Sequence, residues 1–412
     1  MEVSKKKRIV CGLDVGTTKI CMMIARSRAG GNLEVLSSGY SESAGLKKGA
    51  VVDLEEAAAS IRKAAEEAEI KSGVSVDWVY AGVSGNHVQS FNCHGAISVE
   101  GKHHEVTEED MAQAMNAAQS IPVPPGREII HVLPQEYFLD SRGDIQNPVG
   151  LTGSRLDVNA HVVTCDSALL QNLVNAVNKA QMRVKRTVLQ QLASAEAVLT
   201  LDEKELGVAV IDIGGGTTDV ALFVKDSIRF TSTLPVGGAH FTRDLAVGLR
   251  TPIEDAERIK KAYGTVIEEK IADDEVVEVP GVGTRSARDL PRKMICEILT
   301  ARGVELMELV KRQLISSGEH EKAVAGVVLT GGGSALEGML ELSDQILEMP
   351  ARQGLPRSVH GLDDDLCHPV YATAIGLAMF GAQESCNGRK RHSGKAGSTP
   401  LFINRLLSWV GS

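Results

Sequence analysis

Three glycine-rich turns carry the residues in this sequence best suited to chemistry. The first runs Gly12-Leu13-Asp14-Val15-Gly16-Thr17-Thr18-Lys19, and the second runs Val210-Ile211-Asp212-Ile213-Gly214-Gly215-Gly216-Thr217-Thr218-Asp219. The third is Leu329-Thr330-Gly331-Gly332-Gly333-Ser334, closed by Gly338. Glycine lets backbone N–H groups come close to anionic oxygens, and threonine hydroxyls add donors. An aspartate at a strand end can hold water on Mg²⁺, which takes octahedral oxygen ligands. Two such hairpins facing each other would clamp a polyphosphate from both sides. The third turn lies between a strand and a helix, where bare backbone and a helix N-terminus suit a flat base. One such turn alone is equally an ordinary tight turn. The repetition points to one site built from two similar halves, around Asp14 and Asp212.

The elements that must position these turns follow from periodicity and caps. Residues 8–15 and 20–25 read as strands flanking the first turn. Residues 53–71 read as a helix with a capping-box pattern at Asp53 and Glu56 and an apolar stripe of Ile61, Ala64, Ala65 and Ala68. Val79–Val83 is a strand. From 84 to 164 the texture changes to a β-rich unit with five prolines and one helix, opened by Thr107 and Asp110. A helix over Ala168–Ala180 and a strand over Arg183–Leu189 follow. Val208–Ile213 and Asp219–Val224 form the second hairpin. Thr251 reads as an N-cap with Pro252 in the first helical position and Gly264 at the end. A long helix over 291–315, a strand over Val324–Leu329 and a helix over Ala335–Leu347 complete the body. Residues 382–399, rich in Gly, Ser, Lys and Arg, read as a flexible linker. Residues 400–412 read as a short terminal helix.

The order of the three turns resembles the actin-like ATPase superfamily over about residues 8–381. The resemblance implies an α/β, two-lobed actin-like fold with duplicated nucleotide-binding halves, and ATP with Mg²⁺ as ligands. Asp14 and Asp212 would lie near Mg²⁺ and hold it through water. Gly16, Thr17, Thr18 and Lys19, with Gly214, Gly215, Gly216, Thr217 and Thr218, would contact phosphates. Gly331, Gly332, Gly333 and Ser334 would meet adenosine. Glu257 and Lys260, three apart on one helix face, match positions touching ribose and adenine in relatives. Gln190 falls in the helix linking the halves, where relatives orient the attacking water. The chaperone Glu-Pro is absent there, so the expectation is ATP binding with slow hydrolysis at most.

Residues Ser84-Gly85-Asn86-His87, His131-Val132-Leu133-Pro134-Gln135-Glu136-Tyr137 and Asn147-Pro148-Val149-Gly150 resemble the inserted subdomain of the FtsA family of bacterial cell-division proteins. The expected divisions are 1–83 and 165–200 for the first-lobe core with the linking helix, 84–164 for the insertion, 201–230 for part of the second-lobe core, 231–320 for its peripheral subdomain, 321–381 for the rest of that core and the return to the first lobe, 382–399 for the linker and 400–412 for the terminal helix. No metal-ligand spacing joins the histidines, and His131 reads as structural. In 400–412, Phe402, Ile403, Leu406, Trp409 and Val410 fall on one helical face, with Leu407 beside it and Arg405 away from its centre. A helix of about 18 Å is too short to span about 30 Å of hydrocarbon. After a basic linker it has the pattern of an interfacial anchor for anionic lipids.

The net charge is −9. The last 31 residues carry +4 and the rest −13, which argues against a broad nucleic-acid surface. Seven cysteines, none closer than ten positions, suit a reducing compartment. The resemblance implies that the chain self-associates, ties the tail of the tubulin-like FtsZ to the inner membrane, and recruits later division proteins. Arg285, Arg302 and Glu305 lie in the stretch corresponding to the FtsZ-tail site. A pilus-assembly relative, a sugar or carboxylate kinase and a chaperone ATPase are the alternatives.

Overall fold

The computed structural model describes residues 9–391 apart from 29–31, 101–102, 121, 273, 358 and 363–364. The expected terminal helix, with Phe402, Ile403, Arg405, Leu406, Leu407, Trp409 and Val410, lies outside the described residues.

Apolar runs in the central strands make two sheets, buried on both faces at Ile9–Val15, Val208–Ile213 and Thr218–Val224. The first has the strand order Arg183–Leu189, Trp78–Val83, Ile9–Val15, Lys19–Ser27, Leu33–Glu42, Val359–His360. The second has the order Ser227–Leu234, Thr218–Val224, Val208–Ile213, Val327–Thr330, Ala351–Gln353. Each contains an antiparallel hairpin whose first strand also pairs in parallel on its other side. Asp14 pairs with Cys21 in one hairpin and Asp212 with Asp219 in the other. The two lobes thus repeat one arrangement, and each presents its glycine turn at the corresponding sheet end.

Helix Leu54–Ser72 packs on the first sheet with Ile61, Ala64, Ala65 and Ala68 buried, and Asp53 caps it by accepting from the amides of Glu55 and Glu56. The insertion is a separate, antiparallel sheet in the order Val88–Ser98, Arg155–Asp166, Arg127–Leu139, Arg142–Ile145. Helix Glu108–Gln119 lies on it, opened by the reciprocal Thr107–Asp110 cap. Gly95 permits this close seat, because a Cβ there would sit 2.4 Å from the Ala114 carbonyl oxygen. Five of the cysteines, Cys11, Cys21, Cys93, Cys165 and Cys296, are buried free thiols.

Several boundaries differ from the sequence reading. The helix expected from Thr251 is Ile253–Tyr263, with Pro252 at the cap position. Pro252 has ψ 149°, so helical geometry starts only after it, and Thr251 is buried. The helix expected from Ala335 starts at Met339, because Gly338 has φ +88°, which an α-helix cannot contain. Gly332–Ala335 instead form a 3₁₀ turn. The stretch 382–391, read as flexible linker, continues helix Ala372–Arg391. The run from Ala372 to Ala382 in that helix is largely buried against the linking helix Gln190–Val198, and adding residues to a formed helix is easier than starting one, so the helix extends through the polar residues beyond. Strand Leu33–Glu42 and helix Gly238–Gly248 are additional to the sequence reading.

Candidate nucleotide-binding site

The two hairpins meet face to face. In each, the first glycine amide donates across the turn: Gly16 to the Lys19 carbonyl and Gly214 to the Thr217 carbonyl, both at 2.9 Å. A Cβ on Gly215 would lie 2.0 Å from the Thr18 hydroxyl oxygen, and one on Gly216 would lie 2.5 Å from that of Thr17. No side chain fits at either glycine, so bare backbone of one lobe lies against the threonine pair of the other.

Asp14 and Asp212 stand at the strand ends beneath these turns, both buried. Gln190, first residue of the linking helix, donates from Nε2 to Asp14 at 3.0 Å. Lys19 lies 3.3 Å from the other Asp14 oxygen and also donates to the Val370 carbonyl. Burial alone would lower the Lys19 pKa, but Asp14, Cys21 and Asp212 outweigh it and raise it. Asp212 accepts from the Thr373 hydroxyl at 2.9 Å. Burial, then the nearby Asp14 carboxylate, pushes Asp212 up to about 6. Two crowded carboxylates beside donor-rich turns are a donor set suited to a divalent cation with an anionic ligand. Among the described residues no cluster of three or more His, Cys, Asp or Glu could hold a metal. Two carboxylates alone fit a cation that keeps most of its own waters.

The third turn closes on the same place. Gly331 has φ +79°, and a Cβ there would lie 2.2 Å from an Asp212 carboxylate oxygen. A Cβ on Gly333 would strike Ile213 at 2.4 Å. Ser334 is buried, donates to the Gly331 carbonyl at 2.7 Å and accepts from Gln353 at 2.7 Å, so its hydroxyl braces the turn itself. Helix Gly238–Gly248 abuts the second hairpin, with Gly238 and Ala239 amides donating to the Gly214 and Gly215 carbonyls. Lys260 donates to the Gly238 carbonyl at 3.1 Å and to Thr242 at 2.8 Å, and pairs with Glu257 at 2.7 Å. Glu257 and Lys260 therefore border the same cleft.

Some residues that order this site were not singled out from sequence. Asp219, next after the Thr218 of the second turn, is buried and accepts from Ser84, Gln191 and Thr233 at 2.6–2.8 Å. Burial pushes its pKa up to about 7, against the bonds from Ser84 and Thr233. This node joins the entry of the insertion, the linking helix and the second lobe. The motif contains Asp219, but its partners lie up to 135 positions away. Thr373 and Val370 likewise come from a distant return segment. His131 accepts from the Leu189 amide at 3.0 Å and holds the chain just before Gln190. Arg302 is paired with Asp244 at 2.5 Å and with Glu305 at 2.6 Å. Arg285 lies in the exposed loop between strands Val276–Val279 and Arg288–Pro291.

Among the described residues no helix is long and apolar enough to cross a membrane. Among solved structures, a PilM–PilN complex of type IV pilus biogenesis is similar with a TM-score of 0.66 and 18% identity, covering 90% of this chain and 98% of that one. MreB5 of Spiroplasma citri bound to ADP is similar with a TM-score of 0.58 and 14% identity, covering 93% and 98%. At these identities the likeness concerns the fold, which is actin-like. The family model for cell division protein FtsA matches residues 209–376, and that for the SHS2 domain inserted in FtsA matches 85–164. Cell division protein FtsA of Pseudomonas aeruginosa is 39% identical over 409 residues, covering 98% of this chain and 97% of the relative. That of Escherichia coli K12 is 35% identical over 415 residues, covering 98% of each. Similarity of this extent, over both lobes and the insertion, makes the chain a member of the FtsA family of bacterial cell-division proteins.

Proposed function

We propose that this chain is the nucleotide-dependent membrane tether of the division machinery, joining FtsZ to the cytoplasmic face of the inner membrane. The observation that carries the nucleotide part is the pair of facing hairpins, in which Gly215 and Gly216 lie against Thr18 and Thr17. Asp14 and Asp212 would hold Mg²⁺ through water. Gly16 to Lys19 and Gly214 to Thr218 would hold the phosphates of ATP, and Glu257, Lys260 and Gly331 to Ser334 would border its nucleoside. When bound, the magnesium nucleotide supplies charge that both lobes can grip. Gln190, which donates to Asp14, would orient a water.

Residues 400–412 would supply the anchor, with Phe402, Ile403, Leu406, Leu407, Trp409 and Val410 as the apolar residues of its sequence pattern and Arg405 as a cation for anionic headgroups. One such helix binds weakly, and lateral self-association of an actin-like body would strengthen it by avidity. Arg285, Arg302 and Glu305 are the candidates for the FtsZ tail, and later division proteins would assemble on the same body. Equilibrium binding of a fluorescent ATP analogue tests the nucleotide part. Saturable, Mg²⁺-dependent binding is expected, and its absence at millimolar analogue would contradict the proposal.

A further inference from the structure

We propose that the end of the first lobe opposite the nucleotide cleft is a second lipid-facing surface, which meets anionic headgroups through Arg183, Lys185 and Trp78. This rests on the membrane-tether reading but concerns the body of the protein, not its terminal segment.

The topology brings the pieces together. The three parallel strands Ile9–Val15, Trp78–Val83 and Arg183–Leu189 end at the cleft and begin at this opposite edge, with Arg183 paired to Trp78. Trp78 is 50% exposed, with the Arg183 guanidinium 5.4 Å from its ring centroid. Lys185 lies 5.1 Å from the Tyr80 ring and is exposed. Helix Leu54–Ser72 ends at the same side and leaves Ile70 83% exposed. In sequence, Lys5, Lys6, Lys7 and Arg8 lead directly into Ile9.

The last helix fixes where the chain leaves. It starts at the cleft, where Thr373 meets Asp212, and runs back so that Glu384 bonds Tyr80 at 2.5 Å and Arg186 at 3.1 Å. From Glu384 to Arg391 it advances about 10 Å. Trp78 is two residues before Tyr80, or about 7 Å along the strand. The helix therefore reaches past Trp78 before residues 392–412 begin.

The acids of this face are mostly engaged. Glu34 is held by Arg26 at 3.2 Å and Arg28 at 3.0 Å, Glu67 by Lys71 at 2.6 Å, and Glu384 as above. Glu69 accepts from the Val76 amide at 2.5 Å, and Asp77 is exposed beside Trp78. An exposed indole beside Arg and Lys suits the boundary between headgroup and acyl chain, where the ring is half wet and the cations meet phosphate. A contact on the body adds to the terminal anchor as an intramolecular event. It would also orient the lobe, with the nucleotide cleft turned away from the bilayer.

The chain has two tryptophans, Trp78 and Trp409. In the full chain carrying Trp409→Phe, emission reports Trp78 alone. A C-terminal polyhistidine tag and a nickel-chelating lipid hold the chain on vesicles however weakly residues 400–412 bind. The vesicles contain phosphatidylcholine brominated near the headgroup, with or without phosphatidylglycerol. Trp78 emission is expected to be quenched and blue-shifted on phosphatidylglycerol vesicles and unchanged on phosphatidylcholine alone. Adding Arg183→Glu and Lys185→Glu, both exposed positions, should abolish the quenching on captured chain, and without the tag should weaken binding about tenfold or more. Unchanged Trp78 emission on captured chain overturns the proposal, even if the untagged chain floats through its terminal segment. Quenching with no flotation of the untagged chain would support this surface and defeat the terminal anchor.

Discussion

Placing one methyl group on Gly215 tests whether the two hairpins form a single site. In Gly215→Ala the new Cβ would lie 2.0 Å from the Thr18 hydroxyl oxygen and 2.5 Å from its methyl carbon. To regain an ordinary contact of about 3.4 Å the hairpins must part by about 1.4 Å, or Thr18 must leave its place. Strain of this kind in a packed contact costs about 1–3 kcal/mol, so affinity for ATP should fall between about 5-fold and 150-fold. Removing the Thr18 side chain beyond Cβ relieves most of the clash, since the remaining atom is 2.8 Å away. Thr18→Ala alone also loses a hydroxyl. The two effects are separated by a double-mutant cycle, measured by calorimetric titration of ATP with Mg²⁺. A coupling of about 1 kcal/mol or more is expected, with the double variant binding more tightly than the two single losses predict. Additive losses, or an unchanged affinity in Gly215→Ala, would refute the claim that these hairpins hold one ligand between them.

Three further outcomes follow from the geometry. Gln190→Ala should lower ATP turnover about tenfold or more while leaving affinity within about threefold, by steady-state phosphate release and titration. Gly376→Ala places a Cβ 1.7 Å from the Ala193 carbonyl oxygen, where two helices touch, and should lower the Tm by about 1–4 °C in a thermal melt. Asp219, pushed up to about 7 from 3.8, is protonated in the folded state at pH values where the unfolded chain has already ionised. Its contribution is therefore greatest near pH 4, declines as pH rises toward 7 and is constant above that, a change of up to about 4 kcal/mol. Asp219→Asn removes this slope, so its stability relative to the parent should improve from pH 5 to pH 8 in denaturant titrations. Parallel curves would show that the carboxyl does not titrate there.

The residues that make turns were legible, because glycine and threonine spacing has a local cause. Gly16, Gly214 and Gly331 lie where the spacing puts them, at strand ends facing one cleft. The helix stripe of Ile61, Ala64 and Ala65 was legible for a similar reason, since its period reflects one buried face. Contacts made across the chain were not. Ser84 and Gln191 look like ordinary polar residues until folding brings Asp219 between them. The need for glycine at 376 arises only from the Ala193 carbonyl on another helix. Local signals also misled where a neighbour dominated. Pro252 displaced the cap from Thr251, and Gly338, in a left-handed conformation, delayed a helix that the apolar pattern started earlier. The polar composition of 382–391 suggested a linker, whereas the buried run before it propagates helix through Arg391.

Co-flotation of fluorescent FtsZ with anionic vesicles, in ATP and Mg²⁺, tests the tether most directly. The full chain is compared with one ending before Ser398, and with Asp14→Asn in the full chain. The account predicts that FtsZ floats with the full chain, stays behind with the shortened one, and floats less with Asp14→Asn. FtsZ left behind by a full chain that itself floats would contradict the tether, and a full chain that does not float would contradict the anchor.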